Sequence, residues 1–290
     1  MKVTAFAPGH ITVFFEPVFF PQNFERTGSR GAGINISLGV TSQVMVESSA
    51  QQTIFVQVNG LEYNAPVTKL ALQYLIGETP VTVLVKTVMD LPVSQGFGMS
   101  AGGALSASLA LTRLLGLPKT LAIQAAHFAE VQLRTGLGDV VASSFGGIEI
   151  RREAGLPPWG MLEHIPGKYE VVLCVMGEKI ETTKILTDKV RVNDIMLYGR
   201  YCIKKLLEKP SIENFFILSQ KFTRNSALAS DQVLKAIDAV RPFGRASMCM
   251  LGNSVFAIGE TKALCNILSG FGTVFCGLVD ELGARILVED

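Results

Sequence analysis

Glycines at positions 96, 98, 102 and 103, with Ser100 among them, form a small-residue string, Pro-Val-Ser-Gln-Gly-Phe-Gly-Met-Ser-Ala-Gly-Gly, over residues 92–103. Glycines leave backbone N–H groups uncovered, and a string of them opening a helix adds unpaired N–H groups and the positive end of the helix dipole. The chemistry this suits is anion binding, with a nucleotide phosphate as the natural occupant. The flanking segments place the string correctly for that task. Val81 to Val88 (VTVLVKTV) is rich in β-branched residues and predicts a strand, whereas Ala104 to Leu115 carries leucines and alanines at helical spacing.

Two familiar phosphate loops do not match. No segment has the Gly-Lys-Ser or Gly-Lys-Thr of a Walker A loop. Gly96, Gly98 and Ala101 formally satisfy a dinucleotide fingerprint, but that unit needs an acid about 20 residues on to hold a ribose, and the chain has Leu117-Pro118-Lys119-Thr120 there.

The surrounding elements predict an α+β chain. Strands are expected at residues 3–7, 11–15, 34–38, 43–46, 53–58 and 81–88, with Asn59-Gly60 as a hairpin turn. Helices are expected from 102 to 115 and from 121 to 133, followed by a strand ending at Ile150. Glycines and prolines between Arg151 and Lys168 mark a domain boundary, so residues 1–160 and 161–290 are read as two lobes. The second is expected to run strand 170–176, helices 193–208, 212–229 and 231–240, strands within 246–258, a helix 262–269 and closing strands 274–279 and 284–288. This mixed order argues against a doubly wound parallel sheet.

Composition narrows the class of partner. Hydrophobic residues make up 48% of the 290 and charged residues 18%, the signature of a well-filled interior. With 26 Lys and Arg against 25 Asp and Glu, the net charge of +1 gives no field to collect nucleic acid or an anionic membrane. The cluster Lys204, Lys205 and Lys209 reads as a solvated helix face. Five cysteines without a C-x-x-C pair fit a reducing compartment, and no apolar run has the length of a membrane span, so a soluble, cytoplasmic protein is expected.

Three strings, in order, resemble the motifs of the GHMP kinases: Ala7-Pro8-Gly9-His10-Ile11, the segment from Pro92 through Gly96, Phe97, Gly98, Met99, Ser100, Ala101 and Gly102, and Met250 to Phe256. The segments APGHITVFFEP (7–17), TGSRGAG (27–33), FGMSAGGALSASLAL (97–111) and TGLGDVVASSFGG (135–147) are similar to the archaeal pantoate kinase branch. The resemblance implies a two-lobed α+β fold, with an N-terminal lobe like the second domain of ribosomal protein S5 and a C-terminal ferredoxin-like lobe. It also implies ATP- and Mg²⁺-dependent phosphorylation of pantoate to 4-phosphopantoate in coenzyme A synthesis. Homoserine or mevalonate kinase activity, and a nucleotide-binding regulator without catalysis, stay open as alternatives. The expected partner is the small substrate, and a homodimer is compatible with the sequence.

Site residues follow residue by residue. The resemblance implies that Pro92, Gly96, Phe97, Gly98, Met99, Ser100, Ala101 and Gly102 form the ATP loop, that Ser100 and Glu130 are metal ligands, and that Asp139 is the base. Asp139 lies seven residues before Gly146-Gly147, the interval found in mevalonate kinase-like members, and an N-cap for residues 140–144 is its competing role. His10 and Met99 replace the Lys and Ser of many relatives; His10 is a catalytic candidate from a turn between two strands. For the substrate carboxylate, Ser29 and Arg30 between glycines are the first choice, because bare N–H groups and a guanidinium would converge there. Arg224 and Arg134 are weaker choices, and Gly252 is expected to bring a second-lobe loop over the cleft.

Overall fold

The computed structural model describes residues 1–178 and 189–289. The first sheet has eight strands: β1 (Lys2–Val18), β2 (Gly28–Ser48), β3 (Thr53–Val58), β4 (Leu61–Glu62), β5 (Val81–Met89), β6 (Ile148–Glu153), β7 (Met161–Ile165) and β12 (Arg285–Glu289). Its order is β12-β1-β2-β5-β3-β4, with β6 on β2 and β7 on β6, and every pairing is antiparallel except β3 with β5.

β1 and β2 are the longest strands, 17 and 21 residues. Pro8-Gly9 and Gly39 divide each into two expected strands, yet the ladder runs through both as one, with a register shift at Pro8/Gly9 that absorbs the irregularity as a bulge. His10 therefore sits in mid-strand rather than in a turn, and Gly28 to Gly33 is strand rather than an open glycine loop, paired with β1 and, from Gly31, with β6 as well. The Asn59-Gly60 turn is present: both residues have positive φ (49° and 83°), and Val58 pairs with Leu61.

Helices α1 (Pro66–Ile76), α2 (Met99–Leu114) and α3 (Lys119–Leu133) pack on one another, and α2 packs on β1 and β2. Val3, Ala5, Val44, Val83, Ala104, Leu105 and Ala126 form the core beneath them. Short residues on α2 permit that close approach; Gly102 is buried against Val40, where a Cβ would stand 2.9 Å from Cγ2. The short helix α4 (Asp139–Phe145) leads into β6.

The second sheet, β11-β8-β10-β9, comprises β8 (Glu170–Val175), β9 (Gly244–Met248), β10 (Ser254–Gly259) and β11 (Thr273–Leu278), all antiparallel. Helices α5 (Lys189–Glu208), α6 (Ile212–Asn225), α7 (Asp231–Ala239) and α8 (Thr261–Leu268) accompany it, and Ser211 and Ser230 cap α6 and α7 by accepting from Asn214 N and Val233 N. Phe222 of α6 lies 6.4 Å from Phe14 and 6.1 Å from Phe15 of β1, so one apolar core joins the two sheets. Each fully buried Phe contributes roughly 1.5–3 kcal/mol by leaving water. β7 begins where the composition marks a boundary but pairs within the first sheet, and β12 returns to that sheet after the second is complete. Among the described residues, no helix is long and apolar enough to cross a membrane.

Candidate active site

Strand geometry assembles four charged or polar side chains from distant positions. Residues two apart on a strand share a face, so His10 and Thr12 of β1 project together, as do Glu149 and Arg151 of β6. β2 lies between them, with Thr12 opposite Gly33 and Gly33 opposite Glu149. Gly33 is required by space: a Cβ there would strike His10 Nε2 and stand 2.7 Å from Glu149 Oε1. Because it has none, the His10 ring crosses β2 and its Nε2 reaches Glu149 Oε1 at 3.0 Å.

The other ring nitrogen meets the first residue of α4. His10 Nδ1 is 2.7 Å from Asp139 Oδ1, and the Thr12 hydroxyl donates to the same oxygen at 3.4 Å. Arg151 donates through Nη1 to Glu149 Oε1 and through Nη2 to Thr12 Oγ1 at 3.3 Å. His10 and Glu149 are fully buried and Arg151 is 2% exposed, whereas the Asp139 side chain is 28% exposed and faces the cleft. Gly138, not Asp139, occupies the cap position of α4, and the carboxylate makes no capping bond, which leaves it free for other work.

Burial alone would lower the His10 pKa, but the charge of Glu149 and hydrogen bonds to Asp139 and Glu149 outweigh it and raise the imidazole from 6.5 to about 9. Burial would raise Asp139, and the bond to His10, the charges of His10 and Arg151 and the Thr12 hydroxyl instead hold its carboxyl below the usual range. Glu130 of α3 is also buried; burial and the neighbouring Asp139 charge push it up to about 8.

The glycine loop forms the roof of the same cleft. Gly96 (φ 78°) and Gly98 (φ 65°) both take left-handed backbone, and Gly98 is the N-cap of α2 without any side-chain cap, so the first N–H groups of that helix face the cleft unscreened by a side chain. The loop is pinned at two points. His10 N donates to Phe97 O at 3.0 Å, and Gln95 links it to the second lobe, donating from Nε2 to Gly177 O at 2.9 Å and accepting from Asn253 N at 3.1 Å.

The cleft has a volume of about 370 Å³. Tyr63, Pro66, Thr68, Met89 and Val93 line one end, and Thr12, Ser29, Glu130, Gly136, Gly138 and Asp139 the other. Gly96 through Ala101 line it between them, although the Phe97 and Met99 side chains are turned into the core at 1% and 2% exposure. Ser100 is exposed as the second residue of α2. Pro92 and Gly102 do not line the cleft.

The residues expected for the substrate divide. Ser29 lines the cleft, but Arg30 on the opposite strand face does not; its guanidinium donates to Glu16 Oε2 at 3.2 Å and to Arg152 O at 2.7 Å. Gly252 packs against the Gln95 backbone while its neighbours Met250 and Leu251 line the cleft. Arg224 pairs with Asp238 on the surface of the second lobe, and Arg134 closes α3 in left-handed backbone. Among the described residues, no Lys or Arg lines the cleft.

Sequence reasoning missed Glu149, Arg151 and Thr12. A usable signal exists in Ile148-Glu149-Ile150-Arg151: two opposite charges two residues apart on one strand face, alternating with isoleucines.

Residues 66–147, from α1 through Gly147, match the family described as GHMP kinases N terminal domain. The chain is 33% identical over 266 residues to the pantoate kinase of Methanocaldococcus jannaschii, spanning 91% of this chain and 95% of that one. It is 35% identical over 270 residues to the pantoate kinase of Thermococcus kodakarensis, spanning 89% and 88%. A solved structure described as a phosphotransferase related to the CoA biosynthesis pathway superposes with a TM-score of 0.90 at 30% identity, covering 99% of this chain and 98% of that one. The glycine loop at the start of α2, the cleft beneath it and these relatives agree: the chain belongs to the pantoate kinase family of the GHMP kinases.

Proposed function

We propose that this protein transfers the γ-phosphoryl group of ATP to the primary hydroxyl of pantoate, giving 4-phosphopantoate and ADP. The observation that carries the reading is the facing of Asp139, an ionised and partly exposed carboxylate, with the uncapped start of α2 across one cleft. Residues 1–160 supply most of that cleft and the second lobe closes it through Met250 and Leu251.

Phosphoryl transfer depends on positioning and on stabilising spread negative charge more than on covalent help from the protein. Backbone N–H groups of Gly98 to Ala101 are the donors for the phosphates, and the apolar end near Tyr63, Met89 and Val93 suits a flat base. Asp139 accepts the hydrogen bond of the pantoate hydroxyl and aims its oxygen along the line of attack. With its pKa held low, Asp139 is a weak base for a free alcohol; it takes the proton late, as bonding to phosphorus makes that hydroxyl acidic. His10, bonded to Asp139 from behind, fixes the carboxylate and disperses its charge.

Pantoate also carries a carboxylate. Ser29 Oγ lies in the cleft, and beside Gly138 is the Arg151 Nε, buried without a hydrogen-bond partner among the described residues. A Cβ on Gly138 would strike Ser29 Oγ and come within 2.9 Å of Nε, so that glycine leaves room for the Ser29 hydroxyl at the cleft and for the guanidinium buried behind it. Of the two, the Ser29 hydroxyl lines the cleft, and it suits a carboxylate oxygen.

The residues present fit a magnesium ion. Ser100 and Glu130 offer oxygen alone, as a hard cation requires, and a Cβ on Gly136 would strike the Glu130 carboxylate, so the glycine keeps it clear. Among the described residues no three His, Cys, Asp or Glu side chains gather to hold a metal by themselves, which agrees with an ion completed by phosphate oxygens and water. When bound, it supplies charge neutralisation on the phosphates.

A coupled ADP-release assay with ATP and Mg²⁺, run over pantoate, homoserine and mevalonate, tests the reading. Release with pantoate is expected. Release with homoserine or mevalonate alone, or with none of the three, would overturn it.

A further inference from the structure

Both ring nitrogens of His10 face carboxylate oxygens, Asp139 Oδ1 at 2.7 Å and Glu149 Oε1 at 3.0 Å. A neutral imidazole has one N–H and one lone pair, so one of these two contacts would set a lone pair against an ionised carboxylate. A ring carrying two protons satisfies both. The remaining place for that proton is a carboxyl group, and the surroundings disfavour it. Glu149 Oε1 already faces the Arg151 Nη1 donor as well as the ring, and Glu149 Oε2 is buried with no partner, so an O–H on either oxygen would find no acceptor. Arg151 Nη1 also lies 3.4 Å from His10 Nε2, but its much shorter bond is to Glu149.

The charge count points the same way. The groups facing the ring are Asp139 of α4, Glu149 and Arg151 of β6 and, through Asp139, Glu130 of α3. With His10 protonated and Glu130 neutral, as burial and the Asp139 charge favour for Glu130, two cations oppose Asp139 and Glu149 and the set is balanced. With His10 neutral, a negative charge is left uncompensated in a site where His10 and Glu149 are fully buried, which is strongly unfavourable. The rise of the imidazole to about 9 agrees with this count.

We propose that Glu149 is a positioning residue that keeps His10 an imidazolium, and thereby keeps Asp139 ionised and fixed in the cleft through neutral and mildly alkaline pH. Glu149 does not line the cleft and acts only through the ring. Its effect on rate rests on the kinase reading given above; its effect on the protonation of His10 does not.

Two measurements test the two halves. The chain has three histidines, and His164→Gln leaves two, so ¹⁵N-histidine spectra are readily assigned. His127, whose pKa burial lowers, should be neutral at about pH 8, and His10 should show two protonated ring nitrogens. In Glu149→Gln the His10 transition should move to lower pH by at least about one unit. The pantoate rate of the unaltered enzyme should hold to about pH 8.5, while Glu149→Gln should lose kcat on the alkaline side with the same displaced midpoint, its KM for ATP changing less than about twofold. Glu149→Asp, which keeps the charge, should restore most of the alkaline limb. A packing role would lower the rate equally at every pH. A neutral His10 at pH 7 in the unaltered protein, or parallel pH profiles for the unaltered and Glu149→Gln enzymes, would overturn the proposal. If no acceptor is phosphorylated, the kinase reading fails and the spectra decide; if Glu149→Gln does not fold, the spectrum of the unaltered protein decides alone.

Discussion

His10 Nδ1 stands 2.7 Å from Asp139 Oδ1, a contact between residues 129 apart in the chain that ties the middle of β1 to the first turn of α4. It leaves one edge of the carboxylate toward the cleft and takes up the other. Asp139→Asn keeps the shape but removes the proton acceptor, so kcat should fall by about 10²–10⁴ while ATP binding changes little. Single-turnover rates and nucleotide titration check this; an unchanged rate would leave Asp139 with a structural role only.

Glu130 and Ser100 should share the dependence on magnesium. In Glu130→Gln and in Ser100→Ala, the Mg²⁺ concentration giving half-maximal rate should rise at least about tenfold, because each loses one of few protein oxygens available to the ion. The thermal shift produced by MgATP should shrink in parallel. A Glu130→Gln enzyme with normal magnesium dependence would remove that residue from the metal site.

Gly33 is the gap through which His10 meets Glu149. In Gly33→Ala the new methyl group would strike the ring and stand 2.7 Å from Ile11 O, so the ring must turn and the ladder must yield. A loss of at least about tenfold in kcat is expected, with melting lowered by the strain and circular dichroism unchanged. Full activity in this variant would show that the crossing of β2 is dispensable.

Arg30 and Ser29 are adjacent in sequence and opposite in consequence. Ser29→Ala should raise the KM for pantoate severalfold, whereas Arg30→Ala, which loses a partner of Glu16 outside the cleft, should leave it within about twofold. Steady-state kinetics at saturating ATP separate the two, and a large KM effect at Arg30 alone would reverse their assignment.

Stability should carry the mark of the imidazolium. The folded pKa of about 9 lies above the ordinary 6.5, so the stabilisation from His10 is complete below about pH 6.5 and is lost as pH rises through 9. The difference in melting temperature between the unaltered protein and His10→Asn should therefore narrow across that window. A difference that widens would contradict the sign.

The parts of the site set by local backbone chemistry were legible in the sequence, and those set by pairing between distant strands were not. Gly96, Gly98 and Ser100 announce an uncapped helix start in left-handed glycine backbone, because glycine and a small hydroxyl act within a few residues of themselves. Glu149 and Arg151 act only after β2 has been laid between β1 and β6, and no local pattern specifies that register. Pro8-Gly9 misled for a related reason: both suggest a turn, but long-range pairing with β2 carries the strand through them as a bulge. Helix α1 escaped notice despite Pro at its start, since its cap is Ala65 in left-handed backbone with no capping side chain. Arg30 was misplaced by taking a glycine-flanked segment for a loop; as a strand, it puts alternate side chains on opposite faces.

β12 has a consequence for synthesis. It supplies the outer partner of β1, with Val3 opposite Glu289 and Phe6 opposite Arg285, so the strand that carries His10 keeps an unpaired edge until residue 289 has been made. A ribosome adding roughly 5–20 residues per second would leave that edge open for many seconds after β1 itself emerges. An open edge invites pairing with other chains. Shortening the chain before Arg285 should therefore yield a protein that aggregates as it is made rather than one that folds without β12.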